Sequence, residues 1–235
     1  MSRGLGDVYK RQAQNVAGIA IAANDADALQ PALTEAMDAG IKVISLDSAV
    51  NKDSRQTHIQ QADPEKIGRG LIQAAYEMVD GNGGIAVLSA TAQATNQNLW
   101  IEWMKKELEE NPEKYANTPL VKVAYGDDDP TKSTSETQAL LTDSSIKVII
   151  APTTVGMLAA GKVLQDKQSD VKLTGLGLPS EMAPFIEDGT CPWMYLWNPV
   201  DIGYLSGYTM DALVKGTITG LSLIHISEPT RHSLI

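Results

Sequence analysis

Residues 18–50 read GIAIAANDADALQPALTEAMDAGIKVISLDSAV. The stretch alternates two periods. Val16–Ala22 is a short apolar run, which reads as a strand. Asn24-Asp25 then supplies a helix cap. Ala28, Leu29, Leu33, Ala36 and Met37 follow at helical spacing, and Gly40 closes the helix. Ile41–Leu46 is the next strand. Two apolar strands joined by a helix form a βαβ unit, which requires a parallel sheet.

The same alternation continues outward. Asp63-Pro64 opens a helix through Met78, with proline at the first helical position. The Gly81–Gly84 turn leads to strand Ile85–Ser89. Helix Asn96–Glu110, strand Leu120–Tyr125, helix Thr131–Thr142 and strand Lys147–Ala151 come next. Helix Val155–Gln165, strand Lys172–Leu176, helix Ser180–Glu187, strand Trp193–Trp197 and helix Asp201–Val214 complete the pattern. The strands are rich in Val, Ile and Leu without polar alternation, as strands buried on both faces should be. The fold class is therefore α/β, with parallel sheets flanked by helices.

The two ends are read differently. Residues 2–12 are SRGLGDVYKRQ and residues 221–231 are LSLIHISEPTR. One back-translation of the first has a reverse complement that encodes the second. That DNA resembles a transposase adaptor used in sequencing libraries. Residues 1–12 and 221–235 are therefore set aside from fold reasoning as adaptor-derived, and are expected to pack poorly. The protein proper is expected to be a piece truncated at both ends, covering about residues 13–220.

Composition bounds the function. The 235 residues hold 29 acidic and 19 basic side chains, for a net charge of −10. Setting aside Arg3, Lys10, Arg11, Arg231, Asp7 and Glu228 leaves 15 basic and 27 acidic residues, a charge of −12. Such a surface argues against nucleic acid and anionic membranes. One cysteine, Cys191, excludes an internal disulfide. Between residues 13 and 220 His58 is the only histidine, so no cofactor and no metal are expected.

In open parallel sheets, ligands sit at the carboxyl ends of strands. Here those positions are Asp47-Ser48, Ala90–Gln97, Gly126–Asp129, Pro152–Thr154, Gly177–Pro179 and Trp197-Asn198. The set is polar, sparsely charged and includes tryptophan. Amides and carboxylates take sugar hydroxyls, and an aromatic face packs on the C–H face of a sugar ring. No strand end carries a nucleophile beside a base, so an enzyme is not expected. GNGG (81–84) precedes a strand, whereas a phosphate loop follows one. Asp127–Asp129 lacks calcium-loop spacing and reads as a polar loop ending in a helix cap. His58 reads as structural.

Taken in order, residues 18–50, HIQQADPEKIGRGL (58–71), ATNQNLW (94–100), VIIAPTTVGMLAAGKVL (148–164) and LWNPVDIGYLSG (196–207) resemble the type I periplasmic sugar-binding proteins of ABC importers. The similarity covers residues 13–220, is closest to rhamnose-binding proteins, and places autoinducer-2-binding proteins nearby. It implies a two-lobed fold with ligand in the inter-lobe cleft. Residues 13–80 would form an incomplete N-terminal lobe, 81–196 the C-terminal lobe, and 197–220 a return to the first. It implies a monomer serving an inner-membrane permease, located in the periplasm or lipid-anchored outside a Gram-positive cell.

The resemblance also implies sites. Asp47 stands where the family's aspartate binds sugar hydroxyls, with Ser48 beside it. Asn96 and Gln97 open a helix after a strand. Pro152 and Thr154 occupy a contacting loop, with Thr154 also expected to cap the following helix. Trp197 would wall the pocket and Asn198 would be a polar contact. Trp100 and Trp103 read as core. Autoinducer-2 binders usually carry Asp where Asn96 stands, which favours a neutral deoxysugar. The alternatives are an autoinducer-2 or other pentose- or hexose-binding protein, and an effector domain of a sugar-responsive repressor, which shares the fold.

Overall fold

The computed structural model describes residues 3–220, 223–225 and 230–232, with side chains over 6–220. The elements are α1 (Arg3–Ala13), β1 (Gly18–Ile21), α2 (Gln30–Asp38), β2 (Lys42–Leu46), β3 (Thr57–Gln60), α3 (Pro64–Met78), β4 (Gly84–Ser89) and α4 (Thr95–Glu110). They continue as β5 (Leu120–Tyr125), α5 (Pro130–Leu140), β6 (Ile146–Ala151), α6 (Thr154–Asp166), β7 (Lys172–Gly175), α7 (Pro179–Glu187), β8 (Met194–Leu196) and α8 (Pro199–Val214). Two short strands close the chain, β9 (Leu223–His225) and β10 (Thr230–His232).

The chain divides into two units. The first comprises Met1–Asp63, Gln93–Asn96 and Trp197–Glu228; the second comprises Pro64–Ala92, Gln97–Leu196 and Pro229–Ile235. The first break falls at Asp63/Pro64, whereas the sequence reading put it at 80/81. The reason is the packing of α3, whose contacts include β6 and β7 of the second unit.

In the first unit the sheet order is β1-β2-β3-β9, all parallel. Side chains alternate across it. Val43 joins Ile19, Leu33 and Ala36 in one cluster, while Ile44 and Ile59 join Ile202 and Leu213 of α8 in another. In the second unit the order is β5-β4-β6-β7, again parallel, and β4 is fully buried along its length. Its core gathers Leu88, Ile149, Met157, Leu164, Leu173 and Phe185.

Local chemistry accounts for most boundaries and corrects some. Helix α2 starts at Gln30, later than Asn24-Asp25, because the Asp25 carboxylate accepts from the backbone N–H groups of Asp27 and Ala28 and so stabilises a preceding turn. Pro31 then sits in the first helical turn. Asp129 caps α5 by accepting from Lys132 N at 2.7 Å. The cap of α6 is Thr153, one residue before the expected Thr154, and its side chain makes no capping bond. Strand β3 was not foreseen. It is four residues long and three of the four, in THIQ, are polar, yet every residue is buried.

The ends are tied in more than expected. Val8 of α1 is 1% exposed, within the cluster that holds Leu29 and Leu33. Strand β9 pairs with β3, and β10 pairs antiparallel with β8. Ladder bonds join backbone to backbone and do not read side chains, so any extended tripeptide can dock on an open strand edge. Residues 1–2, 221–222, 226–229 and 233–235 lie outside the described residues.

Helices α3 and α4 meet closely at Gly68. A Cβ there would lie 2.5 Å from the Trp100 carbonyl oxygen and 2.5 Å from Trp103 Cβ. An ion-pair network extends the contact: Arg69 reaches Glu65 at 2.8 Å, Glu107 at 2.7 Å and Glu110 at 2.6 Å. Trp103 is accordingly not core, since Arg69 and Lys106 both stack on its ring. Trp100 is core, at 1% exposure. Gly68→Ala should therefore destabilise the protein by about 1–3 kcal/mol through overpacking. Gly70→Ala, with nothing within 4 Å of the new Cβ, should be neutral or stabilising by up to about 1 kcal/mol. Urea unfolding of the two variants checks the contrast.

Candidate functional site

The first unit brings Asp47 and Asn96 together. Asp47 follows β2 directly, with φ +56, in the left-handed region that aspartate tolerates better than most residues. Its backbone N–H donates to Ile59 O at 3.1 Å, which anchors the turn to the end of β3. This geometry holds the carboxylate at the strand end, where Asn96 Nδ2 donates to Asp47 Oδ2 at 3.5 Å. Ser48 is buried, and its carbonyl accepts from Ala23 N at 3.4 Å.

Burial pushes the Asp47 carboxyl up from its ordinary value of 3.8 to about 6. A carboxylate so placed is short of the donors that water would supply. It is suited to a ligand that brings O–H groups of its own.

Trp197 is half-buried and packs against the Ile44, Ile59, Ile202 and Leu213 cluster. Asn198 is exposed, and its side-chain oxygen accepts from Val200 N at 3.0 Å as the cap of α8. That oxygen is thus engaged in holding the helix end.

The second unit places Gln97, Pro152 and Thr154. Gln97 is 8% exposed, and its Oε1 accepts from Ser89 Oγ and Ala90 N, both at 2.7 Å. These bonds tie the first turn of α4 to the end of β4. Pro152 is buried and Thr154 is exposed at the start of α6. The preceding residue, Thr153, donates from Oγ1 to Asp128 Oδ1 at 2.6 Å, linking the loops that follow β5 and β6. Asp127 and Asp128 both adopt positive φ in that loop.

Two features escaped the sequence reading. Thr91 Oγ1, just past β4, is buried without a hydrogen-bond partner among the described residues. The Thr153–Asp128 bond joins residues 25 apart, which no local pattern signals. Cys191 is fully buried and its thiol is pushed up to about 12, first by burial and then by Asp188, so it is an inert core group. A separate depression of about 340 Å3, lined by Gln12, Asn15, Glu35 and Gly40 among others, lies at the amino ends of β1 and β2, the opposite end from Asp47.

The profile of the periplasmic binding protein domain matches residues 11–218. The fold superposes with a TM-score of 0.93 on an ABC transporter solute binding protein from Clostridium phytofermentas with bound L-rhamnose. The two share 43% identity over 98% of this chain and 81% of that one. A sugar ABC transporter structure from Actinomyces odontolyticus is 35% identical, with a TM-score of 0.74 over 99% of this chain and 81% of that one. LsrB from Clostridium saccharobutylicum in complex with AI-2 shares the fold at 21% identity, with a TM-score of 0.88 over 98% of this chain and 83% of that one.

The chain belongs to the periplasmic binding protein domain family. Its more similar relatives, at 43% and 35% identity, are the solute-binding protein and sugar ABC transporter structures just described.

The pH dependence of stability follows from Asp47. Its folded pKa of about 6 exceeds the ordinary 3.8, so the folded state holds this proton more tightly than the unfolded state. The Asp47 contribution should therefore be most favourable below about pH 4, decline as pH rises to about 6, and level off above that. Asp47→Asn removes the ionisation and should raise Tm at pH 8 by a few degrees, with little change at pH 4. Thermal unfolding at both pH values checks this.

Proposed function

We propose that this chain is the substrate-binding component of an ABC sugar importer and takes a rhamnose-like neutral monosaccharide. The observation that carries the reading is the Asp47–Asn96 pair at the end of the first sheet. A carboxylate accepts two hydroxyl hydrogen bonds, and an amide both donates and accepts, which suits vicinal hydroxyls. Asn96 is neutral, so the site offers one negative charge rather than two. That favours an uncharged sugar over ligands that need a second carboxylate. The L-rhamnose bound by the 43% identical relative supports the same choice.

Ser48, Gln97, Pro152, Thr154, Trp197 and Asn198 are proposed to support this site to different degrees. Trp197, half-buried beside its cluster, can offer a ring face to the C–H face of a sugar. Gln97 acts by shaping the turn after β4, and Asn198 by holding the start of α8. Ser48, Pro152 and Thr154 contribute through the shape of their loops. The protein would then work outside the cytoplasmic membrane, in the periplasm or lipid-anchored to the cell surface, and hand its sugar to a membrane permease.

Calorimetric titration tests the ligand. L-rhamnose should bind saturably, with D-arabinose and AI-2 weaker. Binding of AI-2 without rhamnose would overturn the sugar assignment. Because hydroxyls donate to the ionised carboxylate, affinity should fall about tenfold between pH 7.5 and 5, as Asp47 with a pKa of about 6 gains its proton. Asp47→Asn should bind weakly and without this pH dependence.

A further inference from the structure

Behind Asp47 the first unit carries a chain of polar side chains that runs through the sheet interior. Ser45 on β2 stands directly opposite His58 on β3 in the parallel ladder. Arg55 Nη1 donates to Ser45 Oγ at 2.7 Å. Ser45 Oγ and His58 Nδ1 are 2.8 Å apart, and His58 Nε2 and Gln60 Oε1 are 3.0 Å apart. Gln60 Nε2 donates to Gln61 Oε1 at 2.9 Å. Ser45 and Gln61 are fully buried, His58 is 3% exposed and Gln60 8%.

Arg55 decides which way this chain runs. A guanidinium only donates, so Ser45 Oγ must accept from it. The Ser45 hydroxyl hydrogen then has His58 Nδ1 as its acceptor. A neutral imidazole that accepts at Nδ1 carries its hydrogen on Nε2, which donates to Gln60 Oε1. Gln60 is thereby fixed in the orientation that donates to Gln61. In the reverse arrangement Ser45 Oγ would receive two donors, and its own hydrogen would lose the His58 acceptor. Each bond of the forward chain polarises the next, and the cation stands at its head.

The chain ends beside the site. Asp47 N donates to Ile59 O, so Gln60 and Gln61 are the residues that leave β3 where Asp47 leaves β2. We propose that Arg55 is a positioning residue of the sugar site: it sets the donor direction of the Ser45–His58–Gln60–Gln61 relay and so holds the amides at the end of β3 in a single orientation next to Asp47. Arg55 itself touches no ligand in this scheme. The proposal rests on the sugar-binding reading above for its functional consequence, and on hydrogen-bond geometry alone for its direction.

The test uses the full chain with nitrogen-15-labelled histidine, and reads the ring tautomer from side-chain nitrogen–proton correlations at pH 8. Loss of a signal in His58→Asn identifies His58 among the three histidines. The expected result is a single Nε2–H tautomer for His58. Arg55→Met and Ser45→Ala should each convert it to a mixture and weaken L-rhamnose binding about tenfold, as a lost charge-assisted bond allows. Arg55→Lys, which restores a cationic donor, should recover both readouts. An Nδ1–H tautomer in the wild type, or a tautomer indifferent to Arg55→Met and Ser45→Ala, overturns the relay. Unchanged rhamnose affinity in both variants overturns its positioning role. If the wild type binds no monosaccharide, the sugar reading fails, and the tautomer alone still decides the direction of the relay.

Discussion

A carboxylate taken out of water has to be given hydrogen-bond donors, and the first unit is built around that demand at Asp47. The parallel ladder brings the end of β2 beside the end of β3, and the Asp47 N–H bond to Ile59 O pins the turn. A left-handed backbone then holds the carboxylate at the strand end. Asn96 supplies one donor at 3.5 Å, which is long for a bond to a charged group. Burial raises the group's pKa, and its remaining acceptor capacity is what the proposed hydroxyl ligand would use. The free protein accepts a stability cost at a place where a ligand can relieve it.

The surrounding polar residues divide by what their atoms are already bound to. Gln97 spends its oxygen on Ser89 and Ala90, Asn198 spends its oxygen on the α8 cap, and Thr153 gives its hydroxyl to Asp128. All three lie next to strand ends, so position alone does not separate a ligand contact from a brace. The distinction is between groups whose hydrogen-bonding capacity is consumed inside the fold and groups held short of partners. Asp47 belongs to the second kind.

Much of the architecture was legible because it rests on local rules. Short apolar runs located β4, β5 and β6 within a residue, although of the three only β4 is buried along its whole length and the edge strand β5 leaves Val121 and Lys122 exposed. Proline in the first turn marked α3 closely. The reading was poorer where tertiary context overrode local pattern. Strand β3 is short and polar, and takes its place only because β2 and its neighbours bury it. Asp25 resembles a helix cap but serves a turn, since the helix it would have opened starts only at Gln30. Trp103 lies on an apolar stripe, yet cations from α3 and α4 cover it.

The sequence by itself determined the α/β alternation, the parallel sheets, the strand ends where ligand chemistry belongs, and Asp47 as the leading candidate. The first three follow from side-chain periodicity and from the carboxyl-end rule for open sheets, both of which are local or topological, whereas Asp47 is singled out among the strand ends by the family resemblance. Only the tertiary structure decided that α3 belongs with the second unit, that Gln97 Oε1 accepts from Ser89 and Ala90 while Asn198 Oδ1 caps α8, and that Arg55, Ser45, His58 and Gln60 lie within hydrogen-bond distance, each of the next. Burial and hydrogen-bond partnership arise between residues distant along the chain or across a ladder. Ser45 and His58 lie 13 positions apart, and no spacing rule places one opposite the other until the register of β2 against β3 is known.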